Sequence, residues 1–263
     1  MSDVIRLEYR GVTMRFTDAA GKSLTAVQNV SLAVRDGEVV SLIGPSGCGK
    51  STLLNIGSGL TAPSEGDAYV SGERVTGPNA HVAFMLQKDL LLPWRSIAEN
   101  VMFGVEIQGV PSAERKKRAR DLLQMLGLSD FANHYPHQLS GGMRQRVALA
   151  RTLAVDPTVL LLDEPFSAVD AQTRMVLQRE LAQTLQRAKK TALLITHDLL
   201  EAVTLSDRVL VMSKRPGQII EEIVIDVPNR ADPIARRSDP KVSGYVNQLM
   251  AQLGIGEPER ASA

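Results

Sequence analysis

The segment from Gly44 to Ser51 constrains the fold of this chain more than any other part of its sequence. It reads Gly-Pro-Ser-Gly-Cys-Gly-Lys-Ser, and it lies between a strand-like segment at residues 39–43 and a helical segment from Lys50 to about Ile56. Glycines let such a loop curl until its backbone N–H groups point at phosphate oxygens, and the N terminus of the next helix adds partial positive charge. The pattern G-x-x-x-x-G-K-[ST] in this context predicts a nucleoside-triphosphate site.

The side chains around this loop have separate predicted roles. Lys50 can reach the β- and γ-phosphates, Ser51 can bind Mg²⁺, and the hydroxyl of Thr52 can contact the α-phosphate. The other loop residues are expected to contact the phosphates through their backbone: Gly44, Pro45, Ser46, Gly47, Cys48 and Gly49. A structural glycine turn is the alternative, which the flanking strand and helix disfavour.

A second segment supplies carboxylates. The apolar run Val159–Leu162 ends in Asp163 and Glu164, as expected for a buried central strand that delivers acidic groups to the carboxyl edge of a sheet. Asp163 can hold Mg²⁺ through its water shell, and Glu164 can polarise a water molecule against the γ-phosphate. A strand ending in two acids is weak evidence alone, but beside the glycine-rich loop it predicts hydrolysis of the nucleotide.

A third segment identifies the family. The sequence Leu-Ser-Gly-Gly-Met-Arg-Gln-Arg at residues 139–146 opens a helical stretch that runs to about Val155, and Ser140, Gly141 and Gly142 form a second anion-binding helix N terminus. This segment resembles the signature sequence of ABC ATPases. The resemblance implies that ATP is the nucleotide and that two chains pair head to tail, so that the signature of one covers the ATP of the other. Met143 departs from the Gln of many family members.

The same resemblance implies roles for single residues elsewhere. Gln87 matches the glutamine that senses Mg²⁺ and hinges the helical segment, His197 matches the switch histidine, and Asp170 matches the aspartate at the dimer seam. Phe16 is the best match for the aromatic residue that stacks on adenine, with Tyr9 as the alternative. Taken alone, His197 would more often be a packed or capping histidine; its order and spacing within the motifs favour the catalytic role.

These features predict an α/β fold: a P-loop (RecA-like) ABC ATPase core with an N-terminal antiparallel β subdomain and an inserted α-helical subdomain. The core with the β subdomain is expected at residues 1–87 and 156–225. The helical signature subdomain is expected at residues 88–155, where strand signals vanish. Residues 226–263, polar and interrupted by prolines, are expected to form a C-terminal tail.

Charge and composition disfavour a nucleic-acid-binding protein, a membrane-spanning protein and a protein held by disulfides. The chain has 30 basic and 29 acidic residues, which disfavours a nucleic-acid partner. A basic cluster at residues 115–120 has no interleaved aromatic residues, so a solvated helix face is favoured over a nucleic-acid patch. No apolar run reaches the length of a membrane span, and the single cysteine, Cys48, fits a reducing compartment. No Cys or further His accompanies His134 and His137, so a metal site at this pair is disfavoured.

A single cassette without fused membrane spans resembles the detached ATPase of a bacterial importer. The resemblance implies a separate permease, a periplasmic or surface substrate-binding protein, and a cytoplasmic location on the inner face of the membrane. The segment Leu90–Arg95 is the expected permease contact; burial in the helical subdomain is the alternative.

Four details resemble the nitrate, sulfonate and taurine importer branch: Leu-Pro-Trp at 92–94, Leu-Ser-Gly-Gly-Met at 139–143, Glu-Pro-Phe-Ser-Ala-Val-Asp at 164–170 and Lys-Arg-Pro-Gly-Gln-Ile at 214–219. They imply a small oxyanion or sulfonate as cargo. Other small solutes, such as a pyrimidine precursor or an aromatic acid, remain open, as do a non-transport ABC ATPase and a small-molecule kinase.

Overall fold

The computed structural model of the chain describes residues 4–17 and 21–255. The strands are β1 (Ile5–Thr17), β2 (Ser23–Arg35), β3 (Val39–Ile43), β4 (Glu65–Val70), β5 (Glu73–Arg74), β6 (Val82–Met85), β7 (Val159–Asp163), β8 (Thr191–Ile195), β9 (Arg208–Met212) and β10 (Ile219–Val224). The helices are α1 (Lys50–Gly57), α2 (Ile97–Ile107), α3 (Ser112–Met125), α4 (Gly141–Ala154), α5 (Ala171–Arg187), α6 (Leu199–Leu205), α7 (Pro233–Arg237) and α8 (Pro240–Gln252).

The central sheet has the strand order β10-β9-β3-β8-β7-β6. Strands β9 to β6 in this order run parallel, and β10 is an antiparallel edge strand. Every residue of β3, β7, β8 and β9 is buried, as expected for parallel strands covered on both faces. The loops after β3, β8, β7 and β6 therefore meet at one carboxyl edge of the sheet.

A second, antiparallel sheet has the order β2-β1-β4-β5. Its buried face packs with one face of the central sheet and with α1 in a single apolar cluster that includes Leu7, Val34, Leu42 and Leu54. The Tyr9 ring is buried in this cluster, and its hydroxyl donates a hydrogen bond to the Leu53 carbonyl at 2.8 Å. This sheet therefore supports the helix that follows the glycine-rich loop.

Helices α2, α3 and α4 lie between β6 and β7 in the chain. Their apolar sides, with Val101, Leu123 and Val147, share a cluster with Leu160 and Leu162 of β7. Ser96 begins α2 with a reciprocal pair of hydrogen bonds to Glu99 that caps the helix. The predicted fold class, with a parallel core sheet, an antiparallel sheet and inserted helices, is confirmed.

The chain after residue 225 packs against the core through α7 and α8. Val242 and Leu249 of α8 share an apolar cluster with Val203 of α6. Arg236 is buried, and its guanidinium donates hydrogen bonds to the carbonyls of Thr204, Ser206 and Val227 at 2.7–3.0 Å. Residues 226–255 are thus tied to α6 by both apolar and polar contacts.

Candidate nucleotide-binding site

A cavity of about 550 Å³ opens at the carboxyl edge of the central sheet. Its wall contains these predicted site residues: Phe16, Gly44, Ser46, Gly47, Gly49, Lys50, Ser51, Thr52, Gln87, Asp163, Glu164 and His197. Tyr9 is buried beneath α1, whereas the Phe16 ring is 46% exposed on the cavity wall. Of the two aromatic candidates, only Phe16 is therefore placed to stack on a base.

The loop between β3 and α1 has the backbone that an anion requires. Gly47 and Gly49 have φ values of 74° and 106°, a region that favours glycine. Helix α1 begins without a side-chain cap and without an acidic residue in its first turn. Because the first N–H groups of a helix have no partners within it, this N terminus is suited to a phosphate group.

Lys50 and the two loop residues outside the cavity wall support the shape of the loop. The Lys50 ammonium donates hydrogen bonds to the carbonyls of Gly44 at 2.7 Å and Pro45 at 2.9 Å. The buried Cys48 thiol lies 3.8 Å from the same ammonium, and the Cys48 N–H donates to the Pro45 carbonyl at 3.3 Å. Pro45 and Cys48 thus hold the lysine and the curl of the loop.

Ser51 and Asp163 both lie on the cavity wall, where each side chain has an oxygen that a metal ion could bind. The Ser51 hydroxyl interacts with the Asp163 carboxylate. Burial raises the pKa of Asp163 above its ordinary value, and the Ser51 hydrogen bond opposes this effect. Mg²⁺ in nucleotide sites is usually bound through one or two carboxylates together with phosphate oxygens, so the residues present fit this ion.

Two other predicted catalytic residues contact Glu164. Its Oε2 accepts a hydrogen bond from Gln87 Nε2 at 3.2 Å and lies 3.4 Å from His197 Nδ1. Its backbone has a φ of 48°, an unusual conformation that a hydrogen bond from its N–H to the Ile195 carbonyl holds in place. Gln87, which sequence analysis also assigned to Mg²⁺, thus contacts Glu164.

The signature residues and Asp170 lie outside the wall of this cavity. Ser140 is exposed and caps α4 by accepting a hydrogen bond from the Met143 N–H at 3.3 Å, and Gly141 and Gly142 form the first turn. Asp170 caps α5, and its pKa is lowered by hydrogen bonds from Thr173. The glycine-rich loop and the signature segment thus begin two separate helices of one chain, α1 and α4.

Two further residues at the site, Gln145 and Arg215, were not predicted from the sequence. Gln145 of α4 is buried, and its amide donates to the Glu164 carbonyl at 2.9 Å and accepts from the Ala168 N–H at 2.8 Å. Helical spacing places it on the same face as Leu149, which was an available signal for a buried polar contact. Arg215 lines the cavity and donates two hydrogen bonds to the Gly47 carbonyl, at 2.6 and 3.0 Å.

His134 and His137 each pack against a neighbouring aromatic ring. The centroid of the His134 ring lies 5.2 Å from that of Phe131, and the His137 ring stacks on Tyr135 at 6.1 Å. Across residues 4–17 and 21–255, no group of three or more His, Cys, Asp or Glu side chains is arranged to hold a metal ion.

The sequence profile of the ABC transporter family matches residues 27–167. The chain belongs to the ABC transporter family of ATP-binding proteins. The taurine import ATP-binding protein TauB of a Jannaschia species is 45% identical to this cassette over 256 residues, which cover 96% of each protein. An uncharacterised ABC transporter ATP-binding protein of Methanocaldococcus jannaschii is 46% identical over 228 residues, covering 87% of the cassette and 85% of the relative. The cassette is thus an ATP-binding ATPase of the kind that powers transport.

Solved structures agree with this assignment. An ATP-binding cassette determined as a dimer in a post-hydrolysis state with ADP and Pi is 33% identical to this cassette, with a TM-score of 0.77. The match covers 83% of the cassette and 98% of the solved chain. In the part of the cassette that the structure describes, none of the helices has the length and apolarity needed to cross a membrane.

Proposed function

We propose that the cassette hydrolyses Mg²⁺-bound ATP as a head-to-tail dimer and thereby drives a separate permease that imports a small sulfonate or oxyanion. It would act at the cytoplasmic face of the membrane, together with a substrate-binding protein outside. The observation that carries the hydrolytic part is the convergence of Gln87 and His197 on one carboxylate oxygen of Glu164, beside the glycine-rich loop.

The chemistry follows from the groups on the cavity wall. Glu164 accepts a proton from the attacking water while the oxygen of that water bonds to the γ-phosphorus. The bond between the γ-phosphorus and the oxygen that bridges it to the β-phosphate breaks, which gives ADP and phosphate. Gln87 and His197 orient this carboxylate and the water. Lys50 and the loop N–H groups hold the phosphates. Ser51 and Asp163 would hold Mg²⁺, which when bound neutralises phosphate charge.

A dimer explains why the signature lies outside the cavity of its own chain. Ser140 is exposed at the start of α4, where its hydroxyl and the neighbouring N–H groups are available to a phosphate of a second copy. Asp170 is likewise exposed at the start of α5. The related cassette described above was solved as a dimer, which supports this arrangement.

The permease contact is proposed at Leu90–Arg95, where the side chains of Trp94 and Leu90 are 72% and 55% exposed. The fully buried Asn100 of α2 fixes this turn. Its Oδ1 accepts from the Leu92 N–H at 2.8 Å, and its Nδ2 lies 3.0–3.1 Å from the carbonyls of Leu92, Arg95 and Ser96. A rigid turn that displays an exposed indole is suited to docking a partner helix. The alternative for this segment, burial in the helical subdomain, holds for Leu91, which is 8% exposed and packs with α2, α3 and α4, but not for Trp94.

Replacing Trp94 with Ser should uncouple the cassette from the permease without damaging its own site. We expect ATP hydrolysis by the isolated cassette to be unchanged, and permease-stimulated hydrolysis to fall by about thirtyfold, the effect of losing a tryptophan anchor at an interface. Val224→Ser, which removes another exposed apolar side chain on β10, is the matched control and should keep both activities. Normal stimulation of the Trp94 variant would exclude this docking site.

The cargo is proposed from the 45% identity to taurine import proteins and from the sequence details shared with that branch. The test is uptake of labelled taurine, an alkanesulfonate and nitrate into proteoliposomes that contain the cassette and its co-purified permease, with ATP on the cassette side. ATP-dependent accumulation of one of these anions is expected. Accumulation of a different solute class alone would contradict the cargo, and transfer of phosphate to an acceptor would contradict the transport function.

A further inference from the structure

A buried chain of hydrogen bonds lies behind the loop that carries His197. Arg237 Nη2 of α7 donates to Gln178 Oε1 of α5 at 2.9 Å, and Gln178 Nε2 donates to Glu201 Oε2 of α6 at 2.9 Å. The Thr196 hydroxyl, just after β8, interacts with the same Glu201 carboxylate and lowers its pKa. We call Arg237, Gln178, Glu201 and Thr196 the polar relay. It links α7, which belongs to the C-terminal segment (residues 226–255), to Thr196, the residue directly before His197.

Three of the four relay residues are buried, and Arg237 is half-buried. Gln178 is 0% exposed, and Glu201 and Thr196 are each 3% exposed. Burial raises the pKa of Glu201 to about 7, against the hydrogen bonds from Thr196 and Gln178; among nearby charges, Asp198 raises this pKa and Arg174 lowers it. Apolar side chains of similar size could fill such a position with less desolvation cost.

The relay also fixes the backbone on both sides of His197. The Asp198 N–H donates to Thr196 Oγ1 at 3.0 Å, and the Glu201 N–H donates to Asp198 Oδ1 at 3.0 Å. Arg174 Nη1 lies 3.6 Å from Asp198 Oδ2. The His197 side chain is 66% exposed, so this loop backbone governs where its imidazole points. A shift of Glu201 would therefore move the imidazole relative to Glu164.

We propose that Gln178, Glu201 and Arg237 are positioning residues for His197, and that docking of the C-terminal segment onto the core thereby sets the rate of ATP hydrolysis. The inference rests on the proposed role of His197 in hydrolysis. Arg236, next to Arg237, holds α7 against the end of α6 through its three carbonyl contacts, so the relay is engaged only while α7 is docked.

The first test is the kinetics of Arg237→Gln in the full chain. We expect kcat to fall about tenfold, the size expected for losing one hydrogen bond of a charged donor in a buried network, while the KM for ATP stays within about twofold of the parent value. The matched control is Lys241→Gln, which removes another cation of the C-terminal segment whose partner is the exposed Asp226. A normal kcat for Arg237→Gln would overturn the proposal.

The second test reads His197 directly. The chain has four histidines, so the imidazole resonance of His197 can be assigned by comparison with His197→Ala in isotope-labelled protein. Arg237→Gln and the isosteric Glu201→Gln should each shift the His197 resonance and leave that of His81 in place. An unshifted His197 resonance would overturn the proposal even where kcat falls. Inactivity of the parent cassette would instead contradict the proposed hydrolytic function.

Discussion

Replacing Glu164 with Gln should lower the rate of phosphate release by about 10²- to 10⁴-fold, the usual contribution of a general base. Glutamine keeps the shape of the side chain and can still contact Gln87 and His197, but its amide cannot accept the proton of the attacking water. ATP binding should persist because the glycine-rich loop and Lys50 are untouched. Single-turnover phosphate release measures the loss, and sedimentation in Mg-ATP should detect an accumulating ATP-bound dimer.

Glu73→Gln is the control for this variant, because Glu73 is an exposed carboxylate on β5 outside the cavity wall. It should hydrolyse ATP at the parent rate. Near-parent hydrolysis by Glu164→Gln would remove Glu164 from its proposed role and leave Asp163, the last residue of β7, as the neighbouring acid.

Replacing Lys50 with Ala should weaken ATP binding by about a hundredfold or more, since each hydrogen bond to a charged group contributes about 1.5–3 kcal/mol. Two losses add up in this variant. The phosphates lose their cation, and the carbonyls of Gly44 and Pro45 lose the ammonium that holds the loop. Titration calorimetry with ATP measures the affinity, and hydrolysis should fall below detection.

Lys88→Ala is the matched control for this variant. Lys88 is an exposed cation directly after Gln87, yet it is not part of the cavity wall. It should bind ATP as the parent does. Unchanged affinity and turnover in Lys50→Ala, in a protein with the parent melting temperature, would contradict the assignment of the phosphate site.

Sequence reasoning could predict the sheet and the loops at its edge because both depend on local patterns. The runs that became β3 and β7 are mostly apolar, as buried parallel strands require, although β3 contains Ser41 and β7 ends in Asp163, and each leads directly into a polar motif. A glycine-rich loop between a strand and a helix has few structural solutions. The sequence was therefore enough to predict the fold class, which is confirmed, and to predict the phosphate site.

The contacts within the site depend on strand order, which no local pattern encodes. Gln87 and His197 reach Glu164 because β6 and β8 flank β7 in the sheet, although the three residues are far apart in sequence. The resemblance to ABC ATPases implied a role for each residue separately. The strand order of the sheet is what brings Gln87 and His197 to one carboxylate oxygen of Glu164.

Burial resolved two questions that composition left open. Tyr9 and Phe16 are both aromatic residues of β1, but Tyr9 is buried in the core whereas Phe16 lies in the exposed last residues of the strand, on the cavity wall. Residues after 225 looked polar and proline-interrupted, yet α7 and α8 pack on α6 because Val242 and Leu249 recur at helical spacing while Arg236 is satisfied by backbone carbonyls. A short stretch of sequence does not show that α7 and α8 contact α6, because the partner residues lie far away in the chain.

The most direct test asks whether the signature of one copy completes the ATP site of another. It measures sedimentation of the Ser140→Arg variant, made in the Glu164→Gln background and saturated with Mg-ATP. Ser140 does not line the cavity of its own chain, so an arginine there should leave ATP binding intact while blocking the partner's nucleotide. We predict a monomer that carries bound ATP. An ATP-dependent dimer of this variant, equal in amount to that of Glu164→Gln alone, would contradict the account.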